Sequence, residues 1–456
     1  MPLLCAMFHR NILKELRKWQ QKKDRKPLVI RGARQVGKTS VVHSFGAESE
    51  QYIYLNLELP ADRLPFEQFS DMESLLEALF FLKKKSLGKR AGTLIFIDEI
   101  QACPPAFQIL RYFYEQSPDI AVIAAGSLLE TIFRPDISFP VGRVEFMVLR
   151  PVSFPEFLAA LDEESVLKQL ENLPFKDYAH GKLLQLFHSY ALTGGMPEIV
   201  KTYAETRDLS SLAAIYDGLL ATYSDDVEKY ARNEQQLQVI RHIIRSGFSE
   251  AGKRIKFQGF GNSSYGSRDI GEALRTLEKT MLFALVYPVT GNRLPLAPDY
   301  KKAPRLQALD TGLMNFALGL QKEIIGTDDL SKIYKGTLIE HLCGQEILAL
   351  QQRAIGGLNF WVREKKASDA EVDFIIPFEG KLIPVEVKSG KEGKLRSLHQ
   401  YMEEAPHNLA VRFYAGGLSI SEAKTPSGKT YRLLNLPYFL ASQVEAYLNW
   451  FSENTH

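Results

Sequence analysis

Three cysteines in 456 residues, Cys5, Cys103 and Cys343, are too few and too scattered for a disulfide framework or a thiolate-built zinc site, and they suit a reducing compartment. No run approaches the ~18 apolar residues of a membrane-crossing helix. The N-terminus, with His9 and Arg10 after a short apolar start, lacks a signal-peptide core, so the expectation is a cytoplasmic protein without membrane contact. Charge imbalance is missing as well: 56 Lys+Arg against 54 Asp+Glu leave a formal net charge of +2, so any nucleic-acid contact must come from local patches. Low-complexity tracts are absent. A chain of this length is expected to fold as two or three domains.

What is present is Pro27-Leu-Val-Ile-Arg-Gly-Ala-Arg-Gln-Val-Gly-Lys-Thr-Ser40. Gly32 through Thr39 keep the Walker A spacing, with apolar Leu28, Val29 and Ile30 before it and Val41 and Val42 after it, so strand, phosphate loop and helix are expected in that order. Successive backbone N–H groups at a helix N-terminus form a concave donor surface for a triphosphate. Gly32 and Gly37 let the chain turn without a Cβ in the way. The expected ATP-binding set is Gly32, Arg34, Gln35, Val36, Gly37, Lys38, Thr39 and Ser40. Lys38 would reach the β- and γ-phosphates, and the Thr39 hydroxyl would ligate the Mg²⁺ that bridges them.

The partner motif is Thr93-Leu-Ile-Phe-Ile-Asp98-Glu99, a run suited to a strand buried on both faces and ending in two carboxylates, where open α/β sheets bind ligands. Asp98 is expected to hold the magnesium and Glu99 to polarise the attacking water. A third buried strand, Ile120 to Gly126, leads to Ser127, which either touches the γ-phosphate or water, or caps a helix. Arg143, before a final β-like run, either neutralises the transferring phosphoryl group in its own or a neighbouring subunit, or forms a surface salt bridge.

Around these motifs, residues 10 to 26 read as an amphipathic helix with a basic face, 51 to 58 as a strand, 66 to 86 as a helix, and Pro104-Pro105 as the start of another. Alternating strands and helices predict a doubly wound parallel sheet. Gly-Ala-Arg-Gln-Val-Gly-Lys-Thr, Phe-Ile-Asp-Glu-Ile-Gln, Ala-Ala-Gly-Ser-Leu-Leu and Pro-Val-Gly-Arg-Val resemble the prokaryotic AAA ATPases of the STAND-like branch that carry a C-terminal domain of unknown function. The resemblance continues through Thr193-Gly-Gly-Met-Pro-Glu198, Leu309-Asp-Thr-Gly-Leu313 and Glu371-Val-Asp-Phe374. It implies an ATPase and supplies no biological role.

Residues 180 to 230 read as helices broken at Gly194-Gly195, suiting a lid. Gln235 to Val289 has the rhythm of a winged helix: a helix through Ile240 and Ile244, a basic loop at Lys253, Arg254 and Lys256, a helix through Ile270, Leu274 and Leu277, and a wing strand over 282–288. Arg268, Arg275 and Lys279 would either face a DNA groove or decorate a structural arm.

The last third carries a second constellation. Glu340 lies near a helix start, Glu371 to Ile376 reads as one strand, and Lys381 to Ser389 as the next. Asp373 and Glu386 on adjacent strands, with Lys388 two residues on, are the ingredients of a hydrolytic magnesium site. Helix Glu340, Asp373, then Glu386-x-Lys388 resembles the PD-(D/E)XK restriction-endonuclease-like fold, with Gln400 as a further polar residue. That fold is also used for binding alone.

The sequence therefore predicts an α/β protein of three parts. These are a P-loop ATPase domain over 1–180, a helical lid with winged-helix arm over 181–300, and a nuclease-like α/β domain over 301–456. The expected function is Mg²⁺-dependent ATP hydrolysis whose nucleotide state controls a C-terminal nuclease-like or DNA-binding domain; the expected partners are ATP, DNA, and a protein partner or second copy of the chain. The rival is a slow nucleotide switch with a nuclease-like domain that does not cut. A small-molecule kinase on the same loop fits the Asp98-Glu99 pair less well.

Overall fold

The computed structural model describes residues 9–126, 142–227, 231–321, 336–351, 357–365, 368–390 and 394–454. Chain contacts divide it into two compact units, one up to Arg150 and the other from Pro151 onward. The expected 1–180 domain thus contains residues of both.

In the first unit, helix α1 (Ile12–Gln20) buries Ile12, Leu13, Leu16 and Trp19, the helical spacing seen in the sequence, and the Trp19 indole donates to the Lys26 carbonyl at 2.9 Å. Strand β1 (Leu28–Arg31) leads through the phosphate loop into α2 (Lys38–Gly46). Strand β2 (Gln51–Asn56) alternates buried and half-buried side chains. The single helix expected over 66–86 is two, α3 (Pro60–Gln68) and α4 (Met72–Leu82). The break falls there because extended Asp71 accepts the Ser74 amide at 2.8 Å and caps a new helix. Strand β3 (Thr93–Asp98), α5 (Pro104–Gln116), β4 (Ala121–Ala125) and β5 (Glu145–Val148) complete the unit.

The five strands form one sheet ordered β2-β3-β4-β1-β5, with every neighbouring pair parallel. All C-terminal ends therefore share one edge. The phosphate loop leaves β1 there, and β3 ends there in Asp98. Val29, Ile53, Leu55, Ile95, Ile97, Val122 and Ala124 pack one sheet face against Leu75, Leu79, Phe107, Leu110 and Phe113. Each valine, isoleucine, leucine or phenylalanine of this set contributes about 1.5–3 kcal/mol on burial, which fixes the platform from which the loop projects.

The second unit opens with α6 (Phe154–Ala160), α7 (Glu164–Glu171), α8 (His180–Thr193), α9 (Pro197–Thr206) and α10 (Ala213–Val227). The expected break at Gly194-Gly195 separates α8 from α9; Gly194 has φ +65°, and a Cβ on Gly195 would lie 2.1 Å from the Val152 carbonyl oxygen. Helices α11 (Glu234–Glu250) and α12 (Ser267–Thr280) precede β6 (Phe283–Val286) and β7 (Pro288–Val289). Strand β6 pairs antiparallel with β8 (Arg305–Ala308), so the partner of the expected wing strand comes from beyond residue 300.

Next come α13 (Thr311–Ala317), α14 (Thr337–Leu350), β9 (Phe360–Lys365), β10 (Ser368–Val372), β11 (Phe374–Phe378), β12 (Lys381–Val387) and α15 (Arg396–Glu404). Strands β13 (Leu409–Tyr414), β14 (Ser419–Lys424) and β15 (Thr430–Pro437) follow, then α16 (Val444–Glu453). One sheet is ordered β10-β9-β7 and another β11-β12-β13-β15-β14. The strand expected over Glu371–Ile376 is broken at Asp373: residues up to Val372 pair with β9, and those from Phe374 pair with β12. Each half satisfies its ladder in a different sheet, and Asp373 occupies the corner.

Candidate nucleotide site and a buried acidic cluster

Gly37 caps α2 with φ +91°, and Gln35 has φ +59°, so the loop curls back over its own amides. Gly32 has no room for a side chain, because a Cβ would lie 2.5 Å from the Leu149 carbonyl oxygen. Val36 is buried, while Gln35 and Ser40 are exposed and Arg34 half-exposed. The buried Arg10 guanidinium, which the sequence reading passed over, ties the loop to the end of β5. It donates to the Val36 carbonyl at 3.2 Å and to the Arg150 carbonyl at 2.7 Å.

The Lys38 ammonium is buried and donates to the carbonyls of Gly32 at 2.9 Å and Ala33 at 2.8 Å. Burial lowers its pKa to about 8 although Glu99 and Asp98 pull it upward. Asp98 is 3% exposed at the tip of β3. The Thr39 hydroxyl donates to its Oδ2 at 2.8 Å, the Glu99 amide to its Oδ1 at 3.1 Å, and the Tyr54 hydroxyl to Oδ2 at 3.4 Å. Burial raises the Asp98 pKa, and the Glu99 charge adds to this against the Thr39 bond. Tyr54 is pushed up to about 12 by burial and then by Asp98.

Glu99 sits in the left-handed region, φ +50°, and its Oε2 accepts the Gln101 side-chain amide at 2.5 Å. The loop, Lys38, Thr39, Asp98 and Glu99 are thus brought together. Thr39 and Asp98 are hard-oxygen donors already in contact, a set that fits Mg²⁺. Tyr54 carries no sequence signal of its own, because it meets Asp98 only through the register of β2 on β3.

Arg143 is not brought to this site in its own chain. It precedes β5, whose Glu145 pairs with Leu28 at the start of β1, so it lies at the opposite edge of the parallel sheet. Its Nε donates to Glu115 at 2.9 Å, the salt-bridge alternative. Ser127 lies outside the described residues.

In the second unit, Glu340, Asp373, Glu386 and Lys388 do converge, joined by Arg305 and Glu371. Arg305 Nε donates to Glu371 at 2.7 Å, Nη2 to Glu371 and, at 3.3 Å, to Asp373 Oδ1, and Nη1 to Glu340 and, at 3.4 Å, to the Asp373 carbonyl. The guanidinium lies 4.6 Å from the Phe360 ring centre. Asp373 Oδ2 accepts the Val387 amide at 2.8 Å, and Lys388 donates to Glu386 Oε1 at 2.6 Å. Burial, then the Asp373 charge, raises the pKa of both Glu340 and Glu386. Burial works against the Arg305 charge, but the carboxylates outweigh it and hold its pKa high. Arg305 was missed because its partners lie 35 to 68 residues away. Gln400 lies on α15.

Arg268, Arg275 and Lys279 form an exposed stripe on α12, opposite buried Ile270, Leu274 and Leu277. Arg268 pairs with Glu272 at 3.1 Å. Among the described residues, no helix is long and apolar enough to cross a membrane.

Residues 24–158 match the family described as an AAA domain, a span that includes the phosphate loop and the Asp98 strand. Residues 184–324 and 335–438 match two domains of unknown function, DUF8612 and DUF4143. No curated protein matches the chain. Among solved structures, it is similar to the Walker-type ATPase of Pyrococcus abyssi at 15% identity and a TM-score of 0.45, over 68% of this chain and 96% of that one. It is similar to the Orc1 protein of Aeropyrum pernix in complex with DNA at 15% identity and TM-score 0.30, over 70% and 94%. For the Thermotoga maritima Holliday junction branch migration motor the values are 14%, 0.28, 64% and 93%.

Proposed function

We propose that the protein binds and hydrolyses ATP with Mg²⁺ at the Walker site, and that nucleotide state governs how its remaining parts engage DNA or a protein partner. The observation that carries this reading is the 2.8 Å contact of Thr39 with Asp98 beside a loop whose buried Lys38 donates to that loop's own carbonyls. Bound Mg²⁺ would neutralise phosphate charge, with Thr39 and Asp98 as its protein ligands. Lys38 exchanges the Gly32 and Ala33 carbonyls for phosphate oxygens. Glu99 accepts the proton of the attacking water, and Gln101 Nε2 holds that carboxylate in place. Arg143, at the far sheet edge, would serve only a neighbouring subunit. Cysteine usage suits the cytoplasm.

For the C-terminal part, the restriction-endonuclease resemblance supports a nuclease-like fold, while Arg305 among its acids favours binding without cutting. The stripe Arg268, Arg275 and Lys279 on a winged-helix-like arm would supply phosphate contacts. The test is phosphate release by wild type and Lys38→Ala. Turnover should vanish in the variant, and undiminished hydrolysis would refute the assignment.

A further inference from the structure

We propose that Arg305 is the resident cation of the Glu340–Glu371–Asp373 cluster, and that docking of the arm through it and binding of a divalent cation there are mutually exclusive. The inference rests on the nuclease-like reading of the C-terminal part, which makes this cluster the place where a magnesium ion is expected. The residues present do not fit that ion.

A hard dication needs several carboxylate or carbonyl oxygens free to converge on it at short range. Here both Asp373 oxygens are engaged, Oδ1 by Arg305 and Oδ2 by the Val387 amide. Its main-chain oxygen also accepts from Arg305, and Glu340 Oε1 accepts from the same Nη1. Beside the cluster, Glu386 has one oxygen on Lys388, and its Oε2 is buried without a hydrogen-bond partner among the described residues. Among those residues, no three His, Cys, Asp or Glu side chains converge as metal ligands do. The guanidinium occupies the centre of the cluster with one delocalised charge and a fork of donors, the geometry that suits carboxylates.

The second half of the proposal comes from where Arg305 originates. It is the first residue of β8, which pairs with β6 behind α12, so it belongs to the arm, whereas Glu340, Glu371 and Asp373 belong to α14 and the β10–β11 corner. Two further arm cations land on the same side: Arg254 pairs with Glu364 at 2.7 Å and Glu371 at 3.9 Å, and Lys302 pairs with Glu364 at 2.5 Å. Those three pairs are part-exposed and individually weak. Arg305 is 11% exposed, so removing it leaves partly buried like charges facing one another. A cation must fill the cluster, and the arm supplies it.

The experiment is Mn²⁺ titration of the nucleotide-free full chain, read by loss of the free-ion electron paramagnetic resonance signal. It does not require nuclease activity, so failure of the nuclease-like reading in a cleavage assay is scored separately. Wild type should show no Mn²⁺ binding that depends on Asp373. Arg305→Met should bind Mn²⁺ at least ~10-fold more tightly, and adding Asp373→Asn should remove the gain. Arg305→Lys, which keeps a charge, should fold as wild type does and stay silent. Mn²⁺ binding by wild type that disappears with Asp373→Asn overturns the proposal. So does a folded Arg305→Met with no gain. If Arg305→Met does not fold, a folded and silent Arg305→Lys beside a silent wild type upholds the resident cation, and a Mn²⁺-binding Arg305→Lys overturns it.

Discussion

The hydroxyl of Thr39 donates to Oδ2 of Asp98 at 2.8 Å, joining the first turn of α2 to the tip of β3 although β4 lies between their strands in the sheet. Removing that hydroxyl while keeping the side chain's shape, as in Thr39→Val, should weaken Mg²⁺-dependent ATP binding by ~10–100-fold. Binding measured with EDTA should change little. Equal losses with and without Mg²⁺ would deny Thr39 its metal role.

Glu99→Gln should separate binding from chemistry. The amide keeps a partner for Gln101 but takes no proton, so turnover should fall by ~100-fold or more while ATP affinity stays within about twofold. Stopped-flow binding beside steady-state phosphate release distinguishes this from a structural loss, in which both would collapse.

Nucleotide affinity should depend on pH through Lys38. Free, its pKa is lowered to about 8 by burial, whereas a bound triphosphate favours the ammonium and raises it. The higher pKa belongs to the complex, so affinity is fully present below pH 8 and is lost as pH rises above it, by up to ~10-fold per unit. A flat profile between pH 7.5 and about 9.5 in calorimetry would contradict an ammonium whose burial outweighs the pull of Glu99 and Asp98.

Gly312 admits no side chain: a Cβ there would lie 2.2 Å from the Thr193 carbonyl oxygen, which also accepts the Tyr216 hydroxyl at 2.7 Å. Gly312→Ala should destabilise the second unit by about 1–3 kcal/mol or more in urea unfolding. An unchanged midpoint would mean that the close approach of α13 to the end of α8 is not tight.

Glu346, fully buried, accepts the Phe154 amide at 3.1 Å and the Tyr190 hydroxyl at 2.8 Å, and burial pushes its pKa from 4.5 to about 7. Because the folded value is the higher one, its stabilising share is complete below pH 4.5 and is lost as pH rises through about 7. Wild type should therefore lose more thermal stability between pH 5 and pH 8 than Glu346→Gln does. Parallel curves for the two proteins would remove the assignment.

The parts legible in the sequence are those whose partners lie close in the chain or whose strands are apolar throughout. The phosphate loop, the β3 strand ending in Asp98, and the Gly194-Gly195 break needed no tertiary knowledge. Arg143 was open to misreading because its distance from the loop depends on β5 running parallel to β1, which no residue pattern states. The corner at Asp373 was hidden for a related reason: an apolar-alternating run does not show that its two halves pair with β9 and β12 in separate sheets. Arg305 stands in an unremarkable Ala-Pro-Arg-Leu segment, and only folding sets it among carboxylates.

The clasp formed by Arg10 has a practical corollary. The matched AAA segment starts at residue 24, downstream both of that guanidinium and of the Trp19 wedge. A fragment trimmed to the match would give up the side chain that fastens the rim of the phosphate loop to the last strand. Workers seeking a minimal nucleotide-binding piece should begin it upstream of Arg10, or expect a slack loop and a weak grip on the triphosphate.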